Sequence, residues 1–307
     1  MIRAANGLET MTNVFPPFDP ERTSKPKRKP VFPRGKVPVR ILFPTIITLL
    51  ALCAGLTAIR MAIELRYEWA IAALVLAAVL DALDGLVARA LKASSRFGAE
   101  LDSLADFVNF GVAPAIIIFT WALGDTKAGG WIVVMIFAVC MALRLARFNV
   151  SLDEADRPAW KSSYFQGVPA PAGAILVLLP LYLEGLGVST TLMPTPVVLA
   201  YTLAVSFLVV STIPTYSSKL FSQRVSREYF LPVSVLTVLA AAVLLTYPYA
   251  TLTIGCVGYF ATMLLSTFTY RKEMQKAAET AKAQNGSSKK AQEAKPPAPE
   301  PLRRQAR

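Results

Sequence analysis

Apolar residues occur along this chain in eight long runs. Each run is close to the length of about 20 residues that a helix needs to cross the hydrocarbon core of a bilayer. They cover residues 41–59, 69–91, 101–123, 131–150, 168–186, 195–214, 230–247 and 249–269. This pattern predicts an all-α integral membrane protein with about eight transmembrane helices.

Polar segments rich in Lys and Arg flank the apolar region. Residues 1–40 are rich in proline and show no apolar period, which predicts a basic, flexible cytoplasmic arm. Residues 41–270 form the predicted transmembrane catalytic domain. Residues 271–307 are rich in Ala, Lys, Glu and Gln and predict a basic, largely disordered cytoplasmic tail.

Composition and charge agree with a membrane protein. Hydrophobic residues make up 54% of the 307 and charged residues 17%, where soluble domains have about a quarter charged. The net charge of +12 belongs to the two ends, because residues 41–270 carry equal numbers of basic and acidic side chains. Such ends indicate contact with membrane lipids on the cytoplasmic side, and we expect no nucleic-acid partner.

The positions of basic residues predict the orientation in the membrane. Lys and Arg concentrate in alternate connections between the apolar runs, at 92–100, 151–167 and 215–229. By the positive-inside rule, these connections and both termini lie in the cytoplasm. We therefore expect an inner-membrane protein with its basic loops on the cytoplasmic face.

Two residue types limit the chemistry. The chain contains no histidine, which excludes mechanisms that need an imidazole and zinc sites with histidine ligands. Its three cysteines, Cys53, Cys140 and Cys256, lie far apart in apolar runs. They are predicted to be small apolar residues of the interior rather than disulfides or metal ligands.

Four aspartates interrupt the second and third apolar runs. Asp81 and Asp84 are three residues apart near the end of the second run, and Asp102 and Asp106 are four apart in the third. Each pair shares one helical face, and the short turn between the runs makes the two helices antiparallel neighbours. The four carboxylates can therefore face each other. Oxygen ligands suit Mg²⁺, and four negative charges suit two ions.

The residues 81–106 read D-x2-D-G-x2-A-R-x8-G-x3-D-x3-D, which resembles the signature of the CDP-alcohol phosphatidyltransferase family. The resemblance implies a helical bundle that transfers the phosphatidyl group of CDP-diacylglycerol to an alcohol and releases CMP. By the same resemblance, the four aspartates hold two Mg²⁺ or Mn²⁺ ions, Asp106 is the general base, and the protein is a homodimer. Residues implied to bind CDP-diacylglycerol are Thr45, Thr48, Gly85, Ala88, Arg89, Ser95 and Gly98.

The first run carries a variant of a further family pattern. Family members often have Pro-Asn-x-x-Thr there, and this chain has Pro44-Thr45-x-x-Thr48. Thr45 keeps an oxygen acceptor in place of the asparagine side chain. A threonine in a membrane helix can also bond its own backbone, so a purely local role for Thr48 stays open.

The acceptor alcohol is predicted from two later segments. The sequence Arg144-Leu-Ala-Arg147-Phe-Asn149, followed by Gln166-Gly-Val-Pro-Ala-Pro, resembles the serine-using branch of the family. Arg144 and Arg147 share one helical face and can bind a carboxylate, which L-serine has. Asn149 and Gln166 are predicted as polar neighbours of that serine.

Other interpretations stay open at this point. The arginines could bind a phosphate of the acceptor or the lipid, or anchor the helix to headgroups. Choline could stack on the aromatic residues Trp160, Tyr164 and Phe165, and glycerol 3-phosphate is a third acceptor. A transporter would scatter its charges at the midplane of several spans, and a scaffold protein would leave the aspartates unexplained.

Overall fold

A computed structural model describes residues 39–93, 95–126, 128–152, 164–211, 214–216, 227–263 and 266. The predicted tail, and the predicted arm up to residue 38, lie outside these residues. Ten helices and two short strands are described. The helices are α1 (Val39–Ile63), α2 (Tyr67–Ala90), α3 (Arg96–Asp106), α4 (Ala113–Ile118), α5 (Ala128–Leu152), α6 (Ala170–Val177), α7 (Leu179–Gly185), α8 (Thr195–Val210), α9 (Arg227–Thr246) and α10 (Pro248–Met263).

The third apolar run forms one long helical rod with changes of pitch. The π-helical turn Phe107–Val112 joins α3 to α4, and a second π-helical turn, Phe119–Leu123, follows α4. A short 3₁₀ turn, Gly124–Thr126, ends the rod. The rod therefore contains two wider turns, and the first begins directly after Asp106.

Four described helical segments are long and apolar enough to cross a membrane, which confirms the prediction of an integral membrane protein. They are Leu42–Ile63, Tyr67–Ala90, Arg96–Thr126 and Ala128–Val150. A fifth span exists if Leu231–Thr246 and Pro248–Met263, which bend by 120° at their junction, count as one. The predicted count of about eight is not confirmed among the described residues.

The later apolar runs are shorter or broken as helices. The run at 168–186 divides into α6 and α7, because Pro180 has no backbone N–H to continue the hydrogen-bond ladder. The helix that forms from the run at 195–214 ends at Val210. Its last residue instead begins the strand β2 (Pro214–Tyr216), which pairs antiparallel with β1 (Tyr164–Gln166). The prediction of an all-α protein did not include this two-stranded antiparallel ribbon, β1–β2.

Small residues let the first two helices pack closely. Buried alanines lie along α1 and α2, at 51, 54, 58 and 62 on α1 and at 70 and 77 on α2. Side chains this small allow close backbone approach between membrane helices. Larger buried side chains, including Phe110, Phe137 and Met141, fill the space between the rod, α5 and α6.

A tight turn connects α2 to α3. Ser95 caps the start of α3, because its hydroxyl accepts a hydrogen bond from the backbone N–H of Gly98 at 3.0 Å. Lys92 in the same turn has a positive φ of 49°. The turn brings the C-terminal end of α2 beside the N-terminal part of α3, and with them the two pairs of aspartates.

Candidate active site

Three of the four aspartates lie together where α2 and α3 meet. One carboxylate oxygen from each of Asp81, Asp102 and Asp106 lies within 4.8 Å of the others, and all three side chains are half-buried. Negative charges this close in a poorly hydrated site repel each other unless a cation lies between them. The group is therefore suited to hold a positively charged ion.

The fourth aspartate, Asp84, is oriented by a neighbouring helix. Its side chain is only 4% exposed, and its Oδ2 accepts a hydrogen bond from the Thr48 hydroxyl on α1 at 2.5 Å. The same hydroxyl lies 3.0 Å from the carbonyl oxygen of Pro44. The charge of Asp84 acts on both Asp102 and Asp106, so all four carboxylates share one electrostatic environment.

The available donors determine which metals fit. The cluster offers carboxylate oxygens, and the chain has no histidine. Hard divalent cations such as Mg²⁺ and Mn²⁺ prefer oxygen ligands, whereas zinc prefers nitrogen and sulfur. Oδ1 of Asp106 is buried and accepts no hydrogen bond from the described part of the chain. The residues present thus fit a hard divalent cation.

A cavity of about 180 Å³ opens beside the aspartates. Asp84 and Asp102 line it, together with small and hydroxyl-bearing residues from α1, α2 and the start of α3. Six predicted CDP-diacylglycerol residues are among them: Thr45, Thr48, Gly85, Ala88, Ser95 and Gly98. The other lining residues, which sequence reasoning missed, are Pro44, Ala93 and Ala99.

The seventh predicted residue of this group, Arg89, is not among the lining residues. It lies in the last turn of α2, and its side chain is exposed. Gly85, by contrast, faces open space, since a Cβ added there meets no atom within 4 Å. The bare helix face that the sequence predicts at Gly85 is therefore present.

A larger cavity, of about 490 Å³, lies at the other end of the helices. Its lining includes Arg66, Glu68 and Glu184, and none of the predicted site residues. Glu68 and Asp84 are 16 residues apart on one helix, which is roughly 24 Å at 1.5 Å per residue. The larger cavity is thus remote from the carboxylates, and the smaller one is the candidate substrate site.

The predicted serine-binding arginines hold the backbone of neighbouring segments. Arg144 donates from Nε to the carbonyl oxygen of Val168, just before α6. Arg147 donates from Nη1 to the carbonyl oxygen of Val210, the last residue of α8, at 2.8 Å. Cationic donors at the C-terminal end of a helix satisfy carbonyls that have no partner within the helix. The charge of Arg144 also acts on Asp106.

The other two predicted serine neighbours lie in different elements. Asn149, on α5, donates from Nδ2 to the hydroxyl oxygen of Ser103 at 2.9 Å. Gln166 is the last residue of β1. Gly167 follows it with a φ of +80°, and a Cβ there would lie 2.7 Å from the carbonyl oxygen of Ser211. This backbone therefore runs close against the end of α8, as only glycine permits.

Comparison with known proteins identifies the family. A family profile described as CDP-alcohol phosphatidyltransferase matches residues 41–208. The chain belongs to the CDP-alcohol phosphatidyltransferase family. A second profile, CDP-alcohol phosphatidyltransferase 2, matches residues 228–263.

Several relatives share one name, CDP-diacylglycerol–serine O-phosphatidyltransferase. The relative from Mycobacterium leprae (strain TN) is 45% identical over 222 residues, which are 71% of this chain and 72% of the relative. One from Mycobacterium tuberculosis (strain ATCC 25618 / H37Rv) is 49% identical over 147 residues, 48% of this chain and 51% of the relative. One from Bacillus subtilis (strain 168) is 36% identical over 137 residues, 44% and 73% of the two chains.

In this CDP-alcohol phosphatidyltransferase, two residues near the aspartates were missed by sequence reasoning. Ser103 lies between Asp102 and Asp106, accepts from Asn149 and donates to the carbonyl oxygen of Ala99 at 3.1 Å. It thereby links α5 to α3 inside the carboxylate motif. Asn109 lies fully buried in the first π-helical turn. Only its position one turn after Asp106 could have indicated it from the sequence.

Proposed function

We propose that this chain transfers the phosphatidyl group of CDP-diacylglycerol to L-serine, giving phosphatidylserine and CMP. The observation that carries the proposal is the group of carboxylates on α2 and α3 beside the cavity that contains Thr45, Gly85 and Ser95. Relatives named for the serine reaction support serine as the acceptor. They do not favour choline or glycerol 3-phosphate.

Four residues would hold the metal ions: Asp81, Asp84, Asp102 and Asp106. We propose two ions, Mg²⁺ or Mn²⁺, because four carboxylates carry more negative charge than one divalent ion balances. When bound, such ions would supply positive charge that stabilises the negative charge developing on the leaving phosphate.

The chain's own residues bind the substrates and move one proton. Asp106 accepts the proton of the serine hydroxyl while that oxygen forms a bond to the phosphorus that carries diacylglycerol. The bond from this phosphorus to the CMP oxygen breaks, and its electron pair leaves with CMP. Gly85 and Ala88 leave room for the nucleotide, and Arg89 can bind phosphate oxygens at the mouth of the site.

The serine carboxylate is assigned to Arg144 and Arg147, with Asn149 and Gln166 as polar neighbours. A guanidinium has five N–H donors, so one bond to a backbone carbonyl leaves donors for a carboxylate. The contacts to Val168 and Val210 support this role, because they hold both arginines in place before serine arrives. The charge of Arg144 already acts on Asp106.

The proposal includes an assembly and an orientation. About eight helices cross the inner membrane, both termini and the active site face the cytoplasm, and the protein is a homodimer. The arrangement of basic residues supports this orientation. The segments 1–40 and 271–307 contact anionic membrane lipids and bind no nucleic acid.

One experiment tests the reaction and its acceptor. The purified full chain is incubated with CDP-diacylglycerol, Mn²⁺ and one alcohol at a time, and released CMP is measured. We expect rapid release with L-serine and little with choline, glycerol 3-phosphate or serinol, which lacks the carboxylate. Preference for choline or glycerol 3-phosphate would refute the serine assignment and leave the family reaction intact.

A further inference from the structure

The amide of Asn109 is buried beneath the candidate active site and forms no hydrogen bond with the residues that the structure describes. The residue is 0% exposed, and neither its Nδ2 nor its Oδ1 forms a hydrogen bond with the described part of the chain. A buried polar group without a partner destabilises the folded state, and native proteins retain few of them. The presence of Asn109 despite this free-energy cost needs a physical explanation.

The position of Asn109 places it one helical turn below the carboxylates. The bond between Thr48 and Asp84 shows that these two residues lie at the same level of α1 and α2. Gly55 is two turns further along α1, about 10 Å deeper at 1.5 Å per residue. Asn109 packs against Gly55 so closely that an added Cβ there would lie 2.0 Å from Oδ1 of Asn109.

A second buried polar atom lies on the same rod. Oδ1 of Asp106 is also buried and forms no hydrogen bond with the described residues. Asp106 and Asn109 are three residues apart on this rod, and both face the pair α1–α2, since Asn109 packs on Gly55 of α1 and a carboxylate oxygen of Asp106 lies within 4.8 Å of one of Asp81 on α2. The first π-helical turn begins between them, and such turns are frequent at functional sites.

We propose that Asn109 is a positioning residue for Asp106, whose Oδ1 it holds through one bridging water. A buried water needs two to four polar partners. Oδ1 of Asp106 and the two polar atoms of Asn109 supply three. This inference rests on the proposed function, because it concerns the carboxylate that accepts the proton from serine. Gly55 supports it by leaving space for the amide.

Three variants and one control test this role. Asn109→Leu keeps the side-chain size and removes the polar atoms, Asn109→Ser restores a hydroxyl that can bind the same water, and Gly55→Ala displaces the amide. Thr202→Val is the control, because Thr202 is equally buried but lies on α8 and bonds only its own helix, at Val198. Each variant is purified as the full chain.

We expect kcat to fall by about 10–100-fold in Asn109→Leu and Gly55→Ala, as is common when a residue supporting a metal ligand is lost. KM for serine and for CDP-diacylglycerol should stay within about threefold, because neither substrate contacts the residue. Asn109→Ser should recover most of the activity. The melting temperature of Asn109→Leu should stay close to that of the wild type, because leucine keeps the side-chain size and the amide has no direct hydrogen bond to the described chain to lose.

A binding measurement separates this inference from the proposed reaction. Mn²⁺ affinity is measured by electron paramagnetic resonance without substrate, and we expect it to fall about tenfold in Asn109→Leu and Gly55→Ala. This Mn²⁺ affinity tests the role of Asn109 even if the wild type does not transfer a phosphatidyl group to serine. Wild-type Mn²⁺ affinity in Asn109→Leu would overturn the inference, as would an Asn109→Ser variant no better than Asn109→Leu. In Asn109→Leu, loss of activity with a lowered melting temperature would show a purely structural role. If Asn109→Leu does not fold, Mn²⁺ affinity in the other two variants decides: a fall in Gly55→Ala with near-wild-type affinity in Asn109→Ser supports the inference, and any other result overturns it.

Discussion

Asp84 and Asp106 belong to the same group of carboxylates, but their surroundings hold them differently. Asp84 is nearly fully buried and receives a hydrogen bond from Thr48. Asp106 keeps a buried oxygen without such a bond from the described chain. Asp84 is thus oriented by a direct bond from a neighbouring helix, whereas Oδ1 of Asp106 receives no direct hydrogen bond from the described residues.

The Thr48 hydroxyl should contribute measurably to stability. Thr48→Val removes the donor to a buried carboxylate, and we expect the free energy of unfolding to fall by about 1–3 kcal/mol. Thr57→Val is the matched control, because Thr57 is exposed on the same helix and bonds only the carbonyl oxygen of Cys53. Thermal unfolding in detergent measures both. Equal effects in the two variants would contradict a special role for Thr48.

Removing a carboxylate from the cluster should abolish the reaction and leave the fold intact. Asp81→Asn, Asp84→Asn and Asp102→Asn should each lower the rate of CMP release by at least about 100-fold, since even residues behind metal ligands are worth about 10–100-fold. EDTA should do the same to the wild type. Glu64→Gln is the control, because Glu64 is exposed and pairs with Arg60 at the other end of α1. Full activity in EDTA would contradict the metal site.

For single residues, the sequence predicted which aspartates lie close together better than it predicted their hydrogen-bond partners. Spacing alone indicated that the aspartates share helix faces, and three of them do lie within 4.8 Å. It could not indicate that Asp84 bonds Thr48, 36 residues earlier, or that Asn149 bonds Ser103. Such pairs depend on how the helices dock, and no local pattern records that.

A substitution at Gly85, on the open face of α2, should raise stability and weaken substrate binding at the same time. Gly85→Ala adds a methyl group that meets no protein atom, and alanine favours a helix by about 1 kcal/mol over glycine. We expect a slightly higher melting temperature and a raised KM for CDP-diacylglycerol, because the methyl group enters the cavity. Gly129→Ala on α5 also meets no atom and should change stability alone. An unchanged KM in Gly85→Ala would place the nucleotide elsewhere.

Arg147, near the C-terminal end of α5, is predicted both to hold the end of α8 in place and to bind the serine carboxylate. Arg147→Ala should raise KM for serine by about 10–150-fold, the equivalent of one charge-assisted hydrogen bond of about 1.5–3 kcal/mol. Turnover of serinol, although slow, should change less, because serinol has no carboxylate. Arg60→Ala, at the opposite end of the bundle, is the control. Equal losses with both acceptors would assign Arg147 to holding Val210 alone.

The apolar runs indicated where helices form but not where they stop. Runs 41–59 and 69–91 became α1 and α2 within a few residues. The run at 168–186 broke beside Pro180, and the run at 195–214 ended in the ribbon β1–β2. Hydropathy counts apolar residues, whereas helix continuation and strand pairing depend on backbone hydrogen bonds.

The orientation of the whole molecule can be tested with one introduced cysteine at a time. Glu64 and Lys92 lie in exposed turns at opposite ends of α2. In intact cells, a membrane-impermeant maleimide should label Glu64→Cys and leave Lys92→Cys unlabelled until the membrane is permeabilised. The wild type, with its own Cys53, Cys140 and Cys256, gives the background. The reverse pattern would place the active site on the outer face.

The bond between Thr48 and Asp84 also matters while the protein is being made. The ribosome delivers α1 first, and α2 follows with two carboxylates and an arginine, each costing about 2.5–3.5 kcal/mol at mid-membrane on the insertion scale. When α1 and α2 enter as a hairpin, the hydroxyl of Thr48 is already beside Asp84 and lowers that cost. Asp81 and Asp84, half of the proposed metal ligands, thus enter the bilayer on the α1–α2 pair, which precedes the helix bearing Asp102 and Asp106 in the chain.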